Sequence, residues 1–283
     1  MRKQIIIFLC FIVITSGCLT QKTVLKNGVL IEEFDASPSQ VYATEPVQLR
    51  LKIRNSGSVE AKNIRFEIFG IDEREWLCTT DCQTLESLLP PDKESNTEGQ
   101  TKICLWNCKA ASLKSTYKPG IRIWYDYKTD VVRSLTIVSH DEIQRLQDKN
   151  MPLPSEIVSS TSSPISIDIE IKTPLRYWKE RNEITFPIAF KIENVGDGVS
   201  CTGGCEERNW NKIYLIIKSD IELLDCELKT NANNEIQLWE GKHRTITCTA
   251  KIREKTDIQL KKTINVMAEY TYFTDKFTTI QVI

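Results

Sequence analysis

Residues 51–57 read LKIRNSG and residues 190–196 read FKIENVG, so a strand-and-turn unit occurs twice, 139 residues apart. Before the first turn, Val47, Leu49, Leu51 and Ile53 alternate with polar or charged residues. A period of two places one side of a strand in a core and the other in water. Asn-x-Gly then supplies turn chemistry. The pattern predicts short, half-buried strands in both halves of the chain.

Two further segments recur in the same order. YDYKTD at residues 125–130 returns as YTYFTD at 270–275, and TKIC at 101–104 matches TITC at 245–248. A repeat of this length indicates two domains rather than a solenoid, whose units are much shorter. We also expect a closing hairpin in each half, around residues 128–130 and 273–275, with the aspartates at its turn.

Many short strands without a long helical pattern favour an all-β fold of two tandem immunoglobulin-like β-sandwich domains. We assign residues 28–139 to the first domain and 165–283 to the second. Residues 140–164 between them read as a short helix and a Pro/Ser-rich linker. Ser139 and Glu142 match a capping box at the start of that helix.

The N-terminus has the layout of an export signal. Arg2 and Lys3 precede an apolar run at residues 5–14, which is too short to span a bilayer comfortably. Thr15-Ser16-Gly17-Cys18 then resembles a lipobox. We expect residues 1–17 to be a signal peptide, Cys18 to carry lipid, and residues 18–27 to be a tether. Simple cleavage near Gly17 and an uncleaved anchor are the alternatives.

Export implies oxidising conditions, in which cysteines form disulfides. Ten cysteines occur, of which Cys10 lies in the signal and Cys18 is the lipid site. The remaining eight divide four and four between the halves: Cys78, Cys82, Cys104, Cys108, Cys201, Cys205, Cys226 and Cys248.

The spacing of these cysteines favours one pairing without fixing it. A separation of 22 residues joins Cys82 to Cys104 and also Cys226 to Cys248, which leaves Cys78 with Cys108 and Cys201 with Cys205. Four cysteines allow three pairings per half. Two other readings stay open, a zinc site of Cys-x3-Cys pairs in the first half and a redox-active loop at residues 201–205.

A family resemblance rests on residues 45–63. Glu45-Pro46-Val47, the LKIRNSG stretch and Val59-Glu60-Ala61-Lys62-Asn63 together resemble the start of CARDB-like domains, immunoglobulin-like modules of bacterial and archaeal surface proteins. The second copy departs after Gly196, where an insertion carries Cys201 and Cys205. The resemblance implies surface display with adhesion or envelope assembly, and no catalytic residue.

The composition gives no signal for nucleic acid or for an enzyme. Acidic and basic residues number 38 and 37, and no phosphate-loop, dinucleotide or calcium-loop motif occurs. The only histidines, His140 and His243, lie near no recognisable nucleophile. We therefore expect no catalytic residue, no metal and no cofactor.

Tryptophans provide the binding hypothesis. Trp124 falls on the strand face opposite Ile123 and Tyr125, and Trp178 lies near a strand end, so both are candidate binding residues. The sequence thus predicts a non-catalytic surface lipoprotein, attached to the membrane by lipid, that contacts envelope polymer or other surface proteins. The alternative is a carbohydrate-binding accessory lipoprotein that serves a separate enzyme or transporter.

Overall fold

The computed structural model describes residues 27–92, 94–229, 232–256 and 258–283. The predicted signal peptide, Cys10, Cys18 and almost all of the tether lie outside these residues. The first half contains β1 (Val29–Ser37), β2 (Gln40–Val41), β3 (Pro46–Asn55), β4 (Ala61–Phe69), α1 (Glu73–Trp76), β5 (Thr79–Thr80), β6 (Thr84–Leu88), β7 (Thr101–Lys109), β8 (Thr116–Tyr117) and β9 (Gly120–Ser139).

The connection and the second half complete the chain. The connection contains α2 (His140–Asp148) and β10 (Ile157–Ser160). The second half contains β11 (Ile165–Glu170), β12 (Leu175–Tyr177), β13 (Ile184–Asn194), β14 (Val199–Cys201), a 3-10 helix (Glu207–Asn209), β15 (Lys212–Ser219), β16 (Glu222–Leu224), β17 (Asn234–Gln237), β18 (His243–Ile252), β19 (Gln259–Phe277) and β20 (Ile280–Val282).

The strands form sheets whose inner faces carry the alternating apolar residues, so the predicted all-β sandwich fold is confirmed. In β3, Val47, Leu49, Leu51 and Ile53 are buried, and the residues between them are partly exposed. One four-stranded sheet has the order β1-β3-β7-β5 and another β11-β13-β18-β16. A nine-stranded sheet follows β17-β15-β19-β9-β4-β6, with β10 and β12 added on β9 and β14 on β19.

The nine-stranded sheet belongs to both halves. Strands β9 and β19 are 20 and 19 residues long and pair antiparallel without interruption from Gly120–Phe277 to Val138–Gln259. Buried residues from both halves form one continuous hydrophobic cluster. The two halves therefore share one sheet, and the predicted domain boundaries stay a prediction.

The predicted closing hairpins are wrong. Residues 128–130 and 273–275 lie inside β9 and β19, each of which runs straight on. No glycine, proline or asparagine interrupts residues 121–138, and residues 128–130 continue the ladder by pairing with residues 267–269. The tyrosine spacing that both copies share reflects pairing between the two copies and not pairing within each copy.

The pairing of β9 with β19 is symmetric about its centre. Tyr125 pairs with Tyr272 and Tyr127 with Tyr270, while the repeat makes Tyr125 equivalent to Tyr270 and Tyr127 to Tyr272. A rotation that exchanges the two halves therefore maps the ladder onto itself. Its pseudo-twofold axis passes through the pair Asp126–Thr271.

A buried asparagine in each half ties the turn to the long strands. Asn55 is fully buried, and its amide group donates to the carbonyl oxygens of Val59 and Leu88, both at 2.8 Å. Its carbonyl oxygen accepts from the backbone of Gly57 at 3.1 Å and from the hydroxyl of Tyr127 at 3.5 Å. Every polar group of this buried side chain thus has a partner.

The second copy repeats that arrangement. Asn194 donates to the carbonyl oxygens of Gly198 at 2.9 Å and Gly241 at 3.1 Å, and it accepts from the backbone of Gly196 at 3.2 Å. The hydroxyl of Tyr272 donates to its carbonyl oxygen at 2.9 Å. The Asn-x-Gly pattern is therefore a fold determinant beyond its role in the turn.

The connection is more ordered than its composition suggests. Ser139 caps α2 by accepting from the backbone of Glu142 at 3.3 Å, as the capping box predicts. The Pro/Ser-rich stretch contains β10, which pairs with residues 131–134 of β9. Within the predicted linker, residues 157–160 thus form a strand, because the edge of the long strand β9 offers hydrogen-bond partners there.

Replacing Asn55 by alanine should lower the free energy of unfolding by about 3 kcal/mol, because two buried carbonyl groups lose their donor. Chemical denaturation measures this change. Asn107→Ala is the control, since that side chain is exposed and bonds only to Gln48 among the described residues. We expect it to change stability by less than about 0.5 kcal/mol. Equal effects for both variants would contradict the role given to Asn55.

The tyrosine cluster predicts a loss of stability at high pH. Burial raises the pKa of Tyr127 to about 12 and raises the pKa values of Tyr125, Tyr270 and Tyr272 well above 10. Their contribution is fully present below pH 10, the unfolded pKa, and is lost as the pH rises through about 12. In an alkaline titration followed by tyrosinate absorbance, these four tyrosines should ionise only as the chain unfolds. A native titration that overlays the denatured one would contradict this.

Candidate functional site

The eight cysteines of the two halves form four disulfides, which confirms that prediction. The bonds are Cys78–Cys108, Cys82–Cys104, Cys201–Cys205 and Cys226–Cys248. Because all eight sulfur atoms are bonded, the zinc alternative does not apply to this structure. The four bonds indicate an oxidising, extracytoplasmic environment.

Three of these bonds fasten edge segments to inner strands. Cys104 and Cys108 lie in β7 and hold the segment around β5, and Cys248 in β18 holds Cys226, two positions after β16. The fourth, Cys201–Cys205, closes a short loop after β14. This loop lies at the main cavity described next, so its disulfide has a local role.

A groove of about 630 Å³ opens on the outer face of the nine-stranded sheet, at the pseudo-twofold axis. We call it the central groove. Asp126, Lys128, Glu269 and Thr271 form its floor. One wall is the segment 59–62, and the other wall combines Tyr214 with residues 201–203.

The floor of the central groove is held by hydrogen bonds between the two long strands. Thr271 donates its hydroxyl to Oδ1 of Asp126 at 2.6 Å, and Asn63 donates to Oδ2 at 2.7 Å. Lys128 forms an ion pair with Asp130 at 3.1 Å. Asp126, Thr271 and Lys128 are thereby held in position by contacts within the protein.

The insertion after Gly196 builds the second wall. The buried Thr202 donates to Glu235 at 3.0 Å, and Trp210 donates its indole N–H to the carbonyl oxygen of Cys205 at 3.0 Å. Hydrogen bonds from Lys212, and then from Thr202, lower the pKa of Glu235. The disulfide loop is therefore anchored at both of its ends.

The first wall is charged. Glu60 forms an ion pair with Lys62 at 3.5 Å, and a hydrogen bond from Ser87 is the main cause that lowers the pKa of Glu60. The charged lining of the groove consists of three carboxylates and two amines: Glu60, Asp126, Glu269, Lys62 and Lys128. Its net formal charge of −1 leaves the site close to neutral.

Trp124 lies in the row next to the groove floor. It pairs with Phe273, two residues along the ladder from the Asp126–Thr271 pair, and it is partly exposed. The guanidinium of Arg65 lies 5.6 Å from the centre of its ring and that of Arg122 at 5.9 Å. One part of its surface is therefore covered by cations from its own chain.

Arg122 forms the centre of an adjacent cluster. It donates two hydrogen bonds to Asp275, at 2.7 and 2.6 Å, and this carboxylate is the main cause that raises the pKa of Arg122. Its guanidinium lies 4.5 Å from the ring centre of Phe273 and 5.9 Å from that of Trp210. The cluster supports the outer sheet face beside Trp124.

The second candidate, Trp178, lies far from the first. It follows β12, whose Tyr177 pairs with Ser139, about 50 Å along β9 from Trp124. Trp178 is 38 % exposed and stacks on His140 with 3.8 Å between ring centres. The structure does not bring the two predicted binding residues together.

The sequence alone did not identify Tyr214 and Glu269. Both point outward between buried neighbours, Tyr214 between Ile213 and Leu215 and Glu269 between Ala268 and Tyr270. An outward aromatic in such a strand was the available signal for Tyr214. Among the described residues, no group of three or more His, Cys, Asp or Glu side chains could hold a metal.

No helix in the described part of the chain is long and apolar enough to cross a membrane. No protein-family model matches the sequence. No curated protein matches it either.

Two solved structures show a weak likeness. The secreted serine protease VesC from Vibrio cholerae has a TM-score of 0.23 and 9 % identity, and the match covers 90 % of this chain and 51 % of that protein. The chain therefore spans about half of its length. The collagen binding domain of Erysipelothrix rhusiopathiae surface protein RspB gives a TM-score of 0.15 and 7 % identity, over 90 % and 86 % of the two chains. Such low scores carry no argument about function.

Removing a disulfide should lower the free energy of unfolding, and the loss should be larger for the bond that closes the longer loop. Replacing Cys226 and Cys248 by alanine opens a loop of 22 residues and should cost about 3 kcal/mol in the chain-entropy model. The same change at Cys201 and Cys205, whose loop spans four residues, should cost about 2 kcal/mol. Chemical denaturation of both double variants measures the difference, and the reverse order would contradict this view.

Proposed function

We propose that this chain is an exported, non-catalytic binding protein, held at the outer face of a membrane by lipid on Cys18. It contacts envelope polymer or other surface proteins through the outer face of the nine-stranded sheet. The observation that carries the proposal is the combination of an export signal pattern with four disulfides in the folded part. The resemblance to CARDB-like surface modules supports the same assignment.

The position of the first described residue supports an anchored arrangement. Asn27 accepts a hydrogen bond from Ser162 at 2.8 Å, beside the Asn-x-Gly turn of the first half. Asn27 follows Cys18 by nine positions, a stretch of chain that spans at most about 30 Å. Lipid on Cys18 would therefore keep the middle of the molecule close to the membrane.

The carbohydrate-binding alternative is favoured by one observation, the lining of the central groove. Carboxylates, amines and hydroxyl groups alternate there beside the tyrosine ring of Tyr214. A lipoprotein that holds sugar in this groove would present it to a separate enzyme or transporter.

Cys18→Ser should move the protein from the membrane fraction to the soluble fraction outside the cytoplasm, because one thiol carries the anchor. Cys10→Ser is the matched control and should leave the distribution unchanged. Mass spectrometry of the mature wild-type N-terminus should find acyl groups on Cys18. A free amine upstream of Cys18, or membrane attachment of Cys18→Ser, would contradict the anchor.

A further inference from the structure

We infer that the central groove binds a short oligosaccharide of neutral or N-acetylated sugars, with Tyr214 as the stacking platform. This rests on the proposed function and names the ligand class of its binding face. Tyr214 lines the wall and makes no ring contact with another aromatic residue in the described part of the chain. A sugar ring has an apolar C–H face that packs on an aromatic ring and a polar rim that needs donors and acceptors.

The groove supplies both kinds of hydrogen-bonding group at sheet spacing. Along one strand, residues on the same face are about 7 Å apart, and neighbouring strands lie about 5 Å apart. Lys128 and Glu269 face each other across the two long strands, beside the Asp126–Thr271 pair. Glu269 forms no ion pair with the described residues, so its carboxylate can accept from ligand hydroxyl groups.

The geometry disfavours a peptide added as a strand. Such a peptide needs a free sheet edge. At the groove, β19 lies between β9 and the strands β14 and β15, and β9 lies between β19 and β4 as far as Asp126. The floor therefore offers side chains to a ligand and no unpaired row of backbone groups.

The charge of the groove disfavours a polyanion. Two lysines and three carboxylates line it, and both lysines already pair with acidic neighbours, Glu60 and Asp130. A phosphorylated or highly acidic polymer would meet net negative charge at the floor. A neutral or N-acetylated sugar carries no such penalty.

The test measures binding of the full-length protein in detergent to a printed array of neutral, N-acetylated and acidic oligosaccharides, followed by calorimetry with the strongest binder. Wild type should bind neutral or N-acetylated members. Tyr214→Ala should weaken binding about tenfold through the lost stacking surface. Glu269→Gln should weaken it by about threefold or more through the lost charged acceptor.

Two controls separate binding from folding. Tyr214→Phe keeps the ring and should retain affinity within about twofold. Trp239→Ala removes an exposed aromatic ring that does not line the groove and should bind as wild type does. Binding of no array member, of acidic members alone, or of the same members by Tyr214→Ala would overturn the inference.

A pull-down from intact envelopes distinguishes this failure from failure of the proposed function. Capture of a surface protein that Tyr214→Ala leaves unchanged would reject the sugar site and keep the surface-binding role. If the wild-type protein binds sugar but mass spectrometry finds no acyl group on its Cys18, the anchor is rejected and the sugar site is kept.

Discussion

The antiparallel ladder between β9 and β19 is the constraint on which the rest of the structure depends. Nineteen residue pairs join strands from opposite halves of the chain, and their inner faces carry the four buried tyrosines. Each half alone would leave one long strand with an unpaired edge. The ladder therefore makes the two halves one folding unit, with a single continuous core. The buried asparagines then fix where each turn meets the ladder.

The central groove arises where this symmetry breaks. On the pseudo-twofold axis the equivalent positions 126 and 271 carry Asp and Thr, and the pair Lys128–Glu269 is the symmetry counterpart of the aromatic pair Trp124–Phe273. The insertion with Cys201 and Cys205 occurs only in the second copy and supplies a wall that the first copy lacks. Duplication thus provides a rigid floor, and divergence of a few outward residues provides the chemistry.

Local patterns in the sequence predicted the parts of the fold that local physics determines. Alternation in residues 47–53 predicted a strand, Ser139 predicted a helix start, and an even cysteine count predicted disulfides. The closing hairpins failed because the true partner of Tyr127 is Tyr270, more than 140 residues away. Only tertiary packing decides between those two pairings. The same limit applies to Tyr214, whose place in the groove depends on strands from both halves, whereas Trp124 was placed correctly on the outer face.

Under the proposed lipid anchor on Cys18, the position of Asn27 also bears on mechanical tension. Ser58 donates its backbone N–H to Ser162, which itself bonds to Asn27, and the next residue, Val59, lines the groove. A pull between a membrane anchor and a ligand in the groove would enter and leave within this small region. Resistance to rupture would be set by the hydrogen bonds that link Ser58, Ser162 and Asn27 and by the ladder between β9 and β19.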